Sequence, residues 1–325
     1  MIPLIFIVCV LLFFVRGEYE PPSKVDFEGF RNAVRHAISK SSESDLVKDI
    51  TPKSTSLDCH MPRSSIILTL TNFYTIELFS LQHKGLELWN LKECIESRFV
   101  SVCLDEKCIN VCKESSINNC FLLPIETLAS DYLQNSFRYL MYLKHQLMYE
   151  SLQVVEEVMF FDVDVILFRN PWMDTLYQRH DDGTLNLKAP RPDMMWQAEW
   201  RYNMSCAGTP NGGQLYMRNS TKVNRFYQNF FALKNVFLGS GPVDQDKIEE
   251  LAANASMVTC SLPHWRYTAY NLLTNAPFNQ TARVMDIVSY HASGVTGLKH
   301  KIDHIVNMYK GVESKDPTKL AYMWI

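Results

Sequence analysis

An α/β fold with a mostly parallel central sheet is what this chain predicts, and two observations carry it. Val158 to Phe168 is almost wholly apolar and rich in β-branched and aromatic residues, as a strand buried on both faces of a parallel sheet must be. Ser65–Thr71 is a β-rich run, Tyr74 to Leu91 carries apolar residues at helical spacing, and Arg98–Cys103 is a further β-rich run. Strand, helix and strand with no hairpin turn signal read as a parallel crossover.

The elements follow in chain order. Ile2 to Val15 is an uncharged apolar run, shorter than the roughly 17 residues that a membrane span needs. Val15 and Gly17 suit positions −3 and −1 of a signal peptidase site, so residues 1–17 read as a secretory signal; an uncleaved anchor, tethering the chain through residues 2–15, is the alternative. Residues 18–63 are polar, with Pro21-Pro22, a charged stretch from Ser39 to Asp49, and Pro52. They read as a stalk or linker, with Phe30, Val34 and Ile38 marking one short amphipathic helix. Residues 64–325 are expected to form the domain.

Cys103 to Cys120 interrupts the alternation and is expected as a disulfide-tied excursion. Asp131 to Glu150 holds no Pro or Gly and reads as a long helix; Trp172 to Tyr177 reads as a short one, and Leu185 to Pro190 as a strand. Trp196 and Trp200 are candidates for an aromatic platform against an acceptor sugar, with core burial as the alternative. Asn211-Gly212-Gly213 reads as a turn where positive φ and close backbone approach to a ligand are allowed. Asp244 opens a helix running to Ala253, a position where capping is the ordinary role.

Composition narrows the function. Apolar residues make up 47% and charged residues 21% of 325, as in a globular protein, and a formal net charge of −3 gives no electrostatic case for nucleic acid or an anionic membrane. No glycine-rich phosphate loop follows a strand, which argues against a dinucleotide-binding or P-loop enzyme. Loss of Cys9 with a signal leaves eight cysteines, an even number that favours disulfides over zinc in an oxidising compartment. Sequons at Asn203, Asn219, Asn254 and Asn279 agree with that compartment. The expected location is therefore the secretory pathway: Golgi or ER lumen, or secreted.

The chemistry sits in Asp162 and Asp164. Two residues apart on an extended strand, their side chains would leave the same face as paired hard-oxygen ligands suited to Mn²⁺ or Mg²⁺. Two acids at a solvent-facing strand end, or a calcium site, are the plain alternatives.

Phe160-Phe161-Asp162-Val163-Asp164-Val165, followed by Leu167-Phe168-Arg169-Asn170-Pro171-Trp172, resembles the metal-binding strand of the nucleotide-diphospho-sugar transferase family, which includes plant rhamnogalacturonan xylosyltransferases. The likeness extends over roughly residues 65 to 310. It implies a GT-A type fold and transfer of a sugar from a nucleoside diphosphate, UDP in the first instance, to a hydroxyl of a glycan or glycoprotein acceptor. His291-Ala-Ser-Gly294-Val-Thr-Gly297-Leu-Lys299 resembles the family's C-terminal motif, so His291 is implied as the third metal ligand, with Gly297 and Lys299 near the diphosphate. The resemblance further implies donor contacts from Asn72, from Arg138 or Lys144 on the helix before the acid pair, and from Asn211, Gly212 and Gly213. It puts Asp244 at the donor sugar's hydroxyls and Gln245 on its β-face, in a retaining reaction. An inactive sugar-binding protein on the same scaffold is the alternative; a glycoside hydrolase, which needs carboxylates about 5 to 10 Å apart across the scissile bond, is disfavoured.

Overall fold

The computed structural model describes residues 25–39, 62, 64–125, 135–172, 178–179, 185–186, 191–198, 210–239, 244–263, 266–270 and 287–314. The expected signal, most of the expected stalk, the 173–177 helix, Trp200, Asn203 and Asn279 lie outside them.

The first crossover is present as expected. Strand β1 (Ser65–Thr71) pairs in parallel with β2 (Phe99–Cys103), and helix α2 (Ile76–Leu88) connects them. Helix α1 (Phe27–Ser39) precedes β1 and lies inside the stretch expected as linker. It is no stalk: Phe30, Val34 and Ala37 are fully buried in the principal core, because the periodicity noted above is the helix's inner face.

The cysteine segment is more than an excursion. It holds α3 (Glu106–Glu114) and an edge strand, β3 (Cys120–Leu122), parallel to β2, with disulfides Cys103–Cys108 and Cys112–Cys120. Helix α4 (Asn135–Leu152) leads into β4 (Glu157–Phe161), which pairs with β1. There the apolar run divides. It resumes as β5 (Val165–Leu167), which belongs to a second sheet.

After a small ribbon, β6 (Gln178–Arg179) and β7 (Leu185–Asn186), come β8 (Met194–Ala198) and β9 (Pro210–Arg218). Helices α5 (Thr221–Ala232) and α6 (Gln245–Asn254) lead to β10 (Thr259–Leu262), β11 (Tyr267–Ala269) and β12 (Ser289–His291), and α7 (Leu298–Glu313) closes the described chain.

The large sheet has the order β10-β8-β9-β4-β1-β2-β3, with β9 antiparallel to both neighbours and every other pairing parallel. Alternate residues feed cores on opposite faces. Ile66, Leu68, Val158, Phe160, Trp196 and Leu215 point to one, and Ile67, Met159, Phe161 and Tyr216 to the other. Burial on both faces is why these strands read as unbroken apolar runs. The small sheet, β11-β12-β5, stands against the second face. No helix among the described residues is long and apolar enough to cross a membrane.

Candidate active site

The two acids do not lie on a strand. β4 ends at Phe161, and Asp162, Val163 and Asp164 form the turn that hands the chain from the large sheet to the small one. Val165 N donates to Asp162 O at 3.0 Å across that turn, and the buried Gln82 amide of α2 donates to Asp162 O at 3.1 Å and Val165 O at 2.8 Å. Asp164 thereby points inward, nearly inaccessible to solvent. Its paired placement with Asp162 comes from the turn and not from strand alternation.

His291 arrives at the end of β12, which pairs antiparallel with β5, and its partner in register is Val165. Its Nε2 is 3.3 Å from Asp164 Oδ1. One ligand atom from each of Asp162, Asp164 and His291 can be chosen so that all lie within 4.8 Å of one another. Lys301, on the first turns of α7, forms an ion pair and hydrogen bond with Asp164 Oδ2. Burial lifts the Asp164 carboxyl, but Lys301 and His291 overcome it and hold the group well below the usual carboxylate range. Burial pushes the Asp162 carboxyl up, the Asp164 charge adds to this, and the cations nearby do not reverse it.

The donor set is the test of fit for a metal: two carboxylates and one imidazole nitrogen that can lie within 4.8 Å of one another match a divalent cation, and the O, O, N set suits Mn²⁺ at least as well as Mg²⁺. Gly213 adds a steric observation: a Cβ there would stand 2.2 Å from His291 Cε1 and 2.8 Å from Asp162 Oδ2, so the strand approaches this cluster as closely as backbone can.

A second buried cluster adjoins the first. Lys144 Nζ is 2.6 Å from Asp244 Oδ2 and donates to Gly212 O at 3.1 Å; His145 Nε2 is 3.1 Å from the same carboxylate oxygen. A Cβ at Gly212 would stand 2.8 Å from Lys144 Nζ and 3.1 Å from Asp244 Oδ2. Burial lifts the Asp244 carboxyl, and Lys144 and His145 more than reverse that, while burial pushes the His145 imidazole down. Asp244 has helical dihedrals and no side-chain capping bond, so capping is not its role. Lys144 also lowers the Asp162 carboxyl through space, so the two clusters form one field on either side of Gly212-Gly213.

Several expectations change in detail. Gly212 and Gly213 are not in a turn: both lie in β9, and the positive-φ glycines among the described residues are Gly294 and Gly297. Their smallness serves close approach and not backbone freedom. Asn211 Oδ1 accepts from Gly213 N at 2.8 Å, shaping the strand rather than facing outward. Lys299 is exposed; Lys301, two residues on, is the lysine at the acids. Helix phase decides this, and the motif's spacing concealed it. Gly297 starts α7 with φ 88°.

Asn72 follows β1 as expected, but its Oδ1 caps the next turn, accepting from Thr75 N at 3.2 Å. The exposed neighbours are Phe73 and Tyr74, at 43% and 51%, which sequence reading did not single out. Asp105 secures them, its Oδ2 accepting from Phe73 N at 2.7 Å. Arg138 is buried on α4; Lys144 is the α4 cation whose contacts place it in the cluster. Gln245 is half-buried in the first turn of α6. Trp196 is 2% exposed within the main core, so it is no acceptor platform: β8 alternation turns it inward.

The profile of the nucleotide-diphospho-sugar transferase family matches residues 94–304, well over half of the chain. No curated protein matches the sequence. Among solved structures, a glycosyltransferase involved in glycosylation of the major capsid of PBCV-1 is 13% identical, with a TM-score of 0.42, covering 74% of this chain and 98% of its own. The galactosyltransferase LgtC, solved with donor and acceptor sugar analogs, is 10% identical with a TM-score of 0.43, covering 76% and 95%. The glycosyltransferase GlyE of Streptococcus pneumoniae is 11% identical with a TM-score of 0.41, covering 79% and 63%. With acids, imidazole and lysines converging beyond β4 on an α/β scaffold, the chain belongs to the nucleotide-diphospho-sugar transferase family and is a glycosyltransferase.

Proposed function

We propose that this glycosyltransferase moves a sugar from a UDP-linked donor to a hydroxyl of a glycan or glycoprotein, with retention of configuration and dependence on Mn²⁺. The observation that carries the proposal is the meeting of Asp162, Asp164 and His291 beside the Lys144–Asp244 pair, with only two glycines between them. Asp162, Asp164 and His291 would hold the ion. When bound, it supplies Lewis acidity to the departing diphosphate.

The chain's own groups do the rest. Lys301 adds fixed positive charge where negative charge develops on the leaving group. Asp244, anchored through Oδ2 by Lys144 and His145, offers its carboxylate to donor-sugar hydroxyls. Gln245, next in sequence at the start of α6, lines the sugar's β-face, while the departing phosphate oxygen takes the acceptor's proton. Phe73, with the Lys107 ammonium over its ring, and Tyr74 are exposed just past the end of β1, where a crossover sheet receives ligands. The two disulfides and the exposed sequon residues Asn219 and Asn254 support a lumenal or secreted setting, with residues 1–17 as the signal.

The test is release or transfer from a panel of nucleotide sugars by residues 18–325 secreted from a eukaryotic host, with Mn²⁺ or chelator, beside Asp164→Ala. Manganese-dependent turnover of one donor, lost in the variant, is the expected result. Turnover unaffected by chelator refutes the metal role, and a β-linked product from an α-linked donor refutes retention. No turnover, with UDP and Mn²⁺ still raising the melting temperature, turns the choice to a binding protein.

A further inference from the structure

Gln197 is fully buried in β8 and touches the candidate metal site only through another residue. Its Nε2 donates to two backbone carbonyls of β11, Tyr267 O at 3.1 Å and Thr268 O at 3.0 Å. Its Oε1 lies 2.8 Å from His291 Nδ1. An amide's two ends are ordinarily hard to tell apart, but here the partners decide. Two carbonyl oxygens can only accept, so the end facing them is the NH₂ group. The other end is then the carbonyl oxygen, and His291 Nδ1 must carry the proton that it accepts. In the neutral ring this leaves the lone pair on Nε2, the nitrogen that faces Asp164.

The backbone is shaped to deliver this amide. The pairing of β8 with β9 runs in register to Trp196 opposite Leu215, then jumps so that Gln197 stands opposite Asn211. Gly212, Gly213 and Gln214 are passed over, a bulge of the kind that re-aims side chains beside active sites. In the small sheet β11 pairs with β12, with Ala269 opposite His291, so the carbonyls that orient Gln197 belong to the strand that also flanks its imidazole partner.

We propose that Gln197 is the positioning residue for His291, fixing the tautomer and ring plane that present Nε2 to a divalent cation between Asp162 and Asp164. The proposal rests on the metal-dependent reading above. Partners of metal-binding imidazoles typically carry about 10- to 100-fold of metal affinity.

Two variants separate positioning from mere support of β11. Gln197→Met removes donor and acceptor alike. Gln197→Glu keeps the acceptor for Nδ1–H and loses the donors to the carbonyls. Binding of Mn²⁺ alone is measured by the loss of the free-ion electron paramagnetic resonance signal. Stability is followed by denaturant midpoint, and the His291 tautomer by long-range ¹H–¹⁵N correlation, assigned by its loss in His291→Asn.

The expected result is Mn²⁺ binding weakened about 10- to 100-fold in Gln197→Met and near or above wild type in Gln197→Glu, although both variants lose stability. His291 reads as Nδ1–H in the metal-free wild type and as mixed tautomers in Gln197→Met. Unchanged affinity in a folded Gln197→Met, affinity that falls alike in both variants, or a wild-type His291 with no proton on Nδ1 overturns the proposal. A wild-type protein that binds no Mn²⁺ removes the metal reading instead, and the tautomer measurement still decides what Gln197 does.

Discussion

Replacing Gly213 with alanine adds one methyl group at the most crowded point of the site. The backbone there is extended in β9 and has no positive φ, so alanine meets no conformational objection and by chain entropy alone would stabilise by about 0.4–1 kcal/mol. The obstacle is steric. The new Cβ would stand 2.2 Å from His291 Cε1 and 2.7 Å from Nε2, where ordinary contact begins at 3.4 Å. The imidazole must retreat by about 1 Å, while metal ligands tolerate only about 0.2 Å. His291 cannot swing freely, because Gln197 holds its other nitrogen at 2.8 Å. Overpacking of this kind costs roughly 1–3 kcal/mol, so the variant should still fold. Its Mn²⁺ affinity should fall by about 10- to 100-fold, the range seen when a metal-binding imidazole loses its positioning. The assay is Mn²⁺ titration by electron paramagnetic resonance beside a thermal melt. A Gly213→Ala protein that folds and binds Mn²⁺ like wild type would refute the placement of the ion between these three side chains.

Three other perturbations follow from the same geometry. Lys301→Ala should lower turnover by at least tenfold, whereas Lys299→Ala, at an exposed position, should stay within twofold in steady-state kinetics; the reverse ranking would restore the lysine expected from motif spacing. Lys144→Met leaves the buried Asp244 carboxylate with His145 alone and should cost about 3–5 kcal/mol in denaturant unfolding, with much of the loss recovered when Asp244→Asn is added. Burial lowers the His83 imidazole to about 3, so the unfolded chain binds a proton that the folded one does not. Stability is then complete above about pH 6.5 and declines toward pH 3, by about 1.4 kcal/mol per unit for this group. His83→Gln should flatten that slope in melts taken between pH 7 and pH 4.

Much of this was legible in the residues, for physical reasons. β1, β2 and β4 announce themselves because a strand buried on both faces admits almost no polar residue, α2 because it keeps an apolar stripe at helical spacing, and α4 because no Pro or Gly interrupts it. Four features stayed hidden. The handover from β4 to β5 carries no Gly or Pro, so Asp162-Val163-Asp164 reads as continuous strand although it turns. The choice of Lys301 over Lys299 depends on the phase of α7, which begins at Leu298. Gly212 and Gly213 look like turn residues because sequence reports the missing side chain and not the neighbours that forbid it. Gln197 lies between tryptophan and alanine in an apolar strand, and nothing in its spacing shows that His291, 94 positions later, is its partner.

The turn at Asp162 has a mechanical consequence. Asp162 directly follows β4 of the large sheet, while Asp164 directly precedes β5 and His291 ends β12 in the small one. An ion held by all three is therefore one more cross-link between two sheets already joined by apolar contacts and by the hydrogen bonds of Gln197 and Gln214, and its binding free energy becomes resistance to their separation. Lys301 already ties α7 to the same junction through Asp164. Loading the site should thus slow backbone amide exchange at β5 and β12 more than at β1 or β2, so that the junction stiffens as the ion arrives.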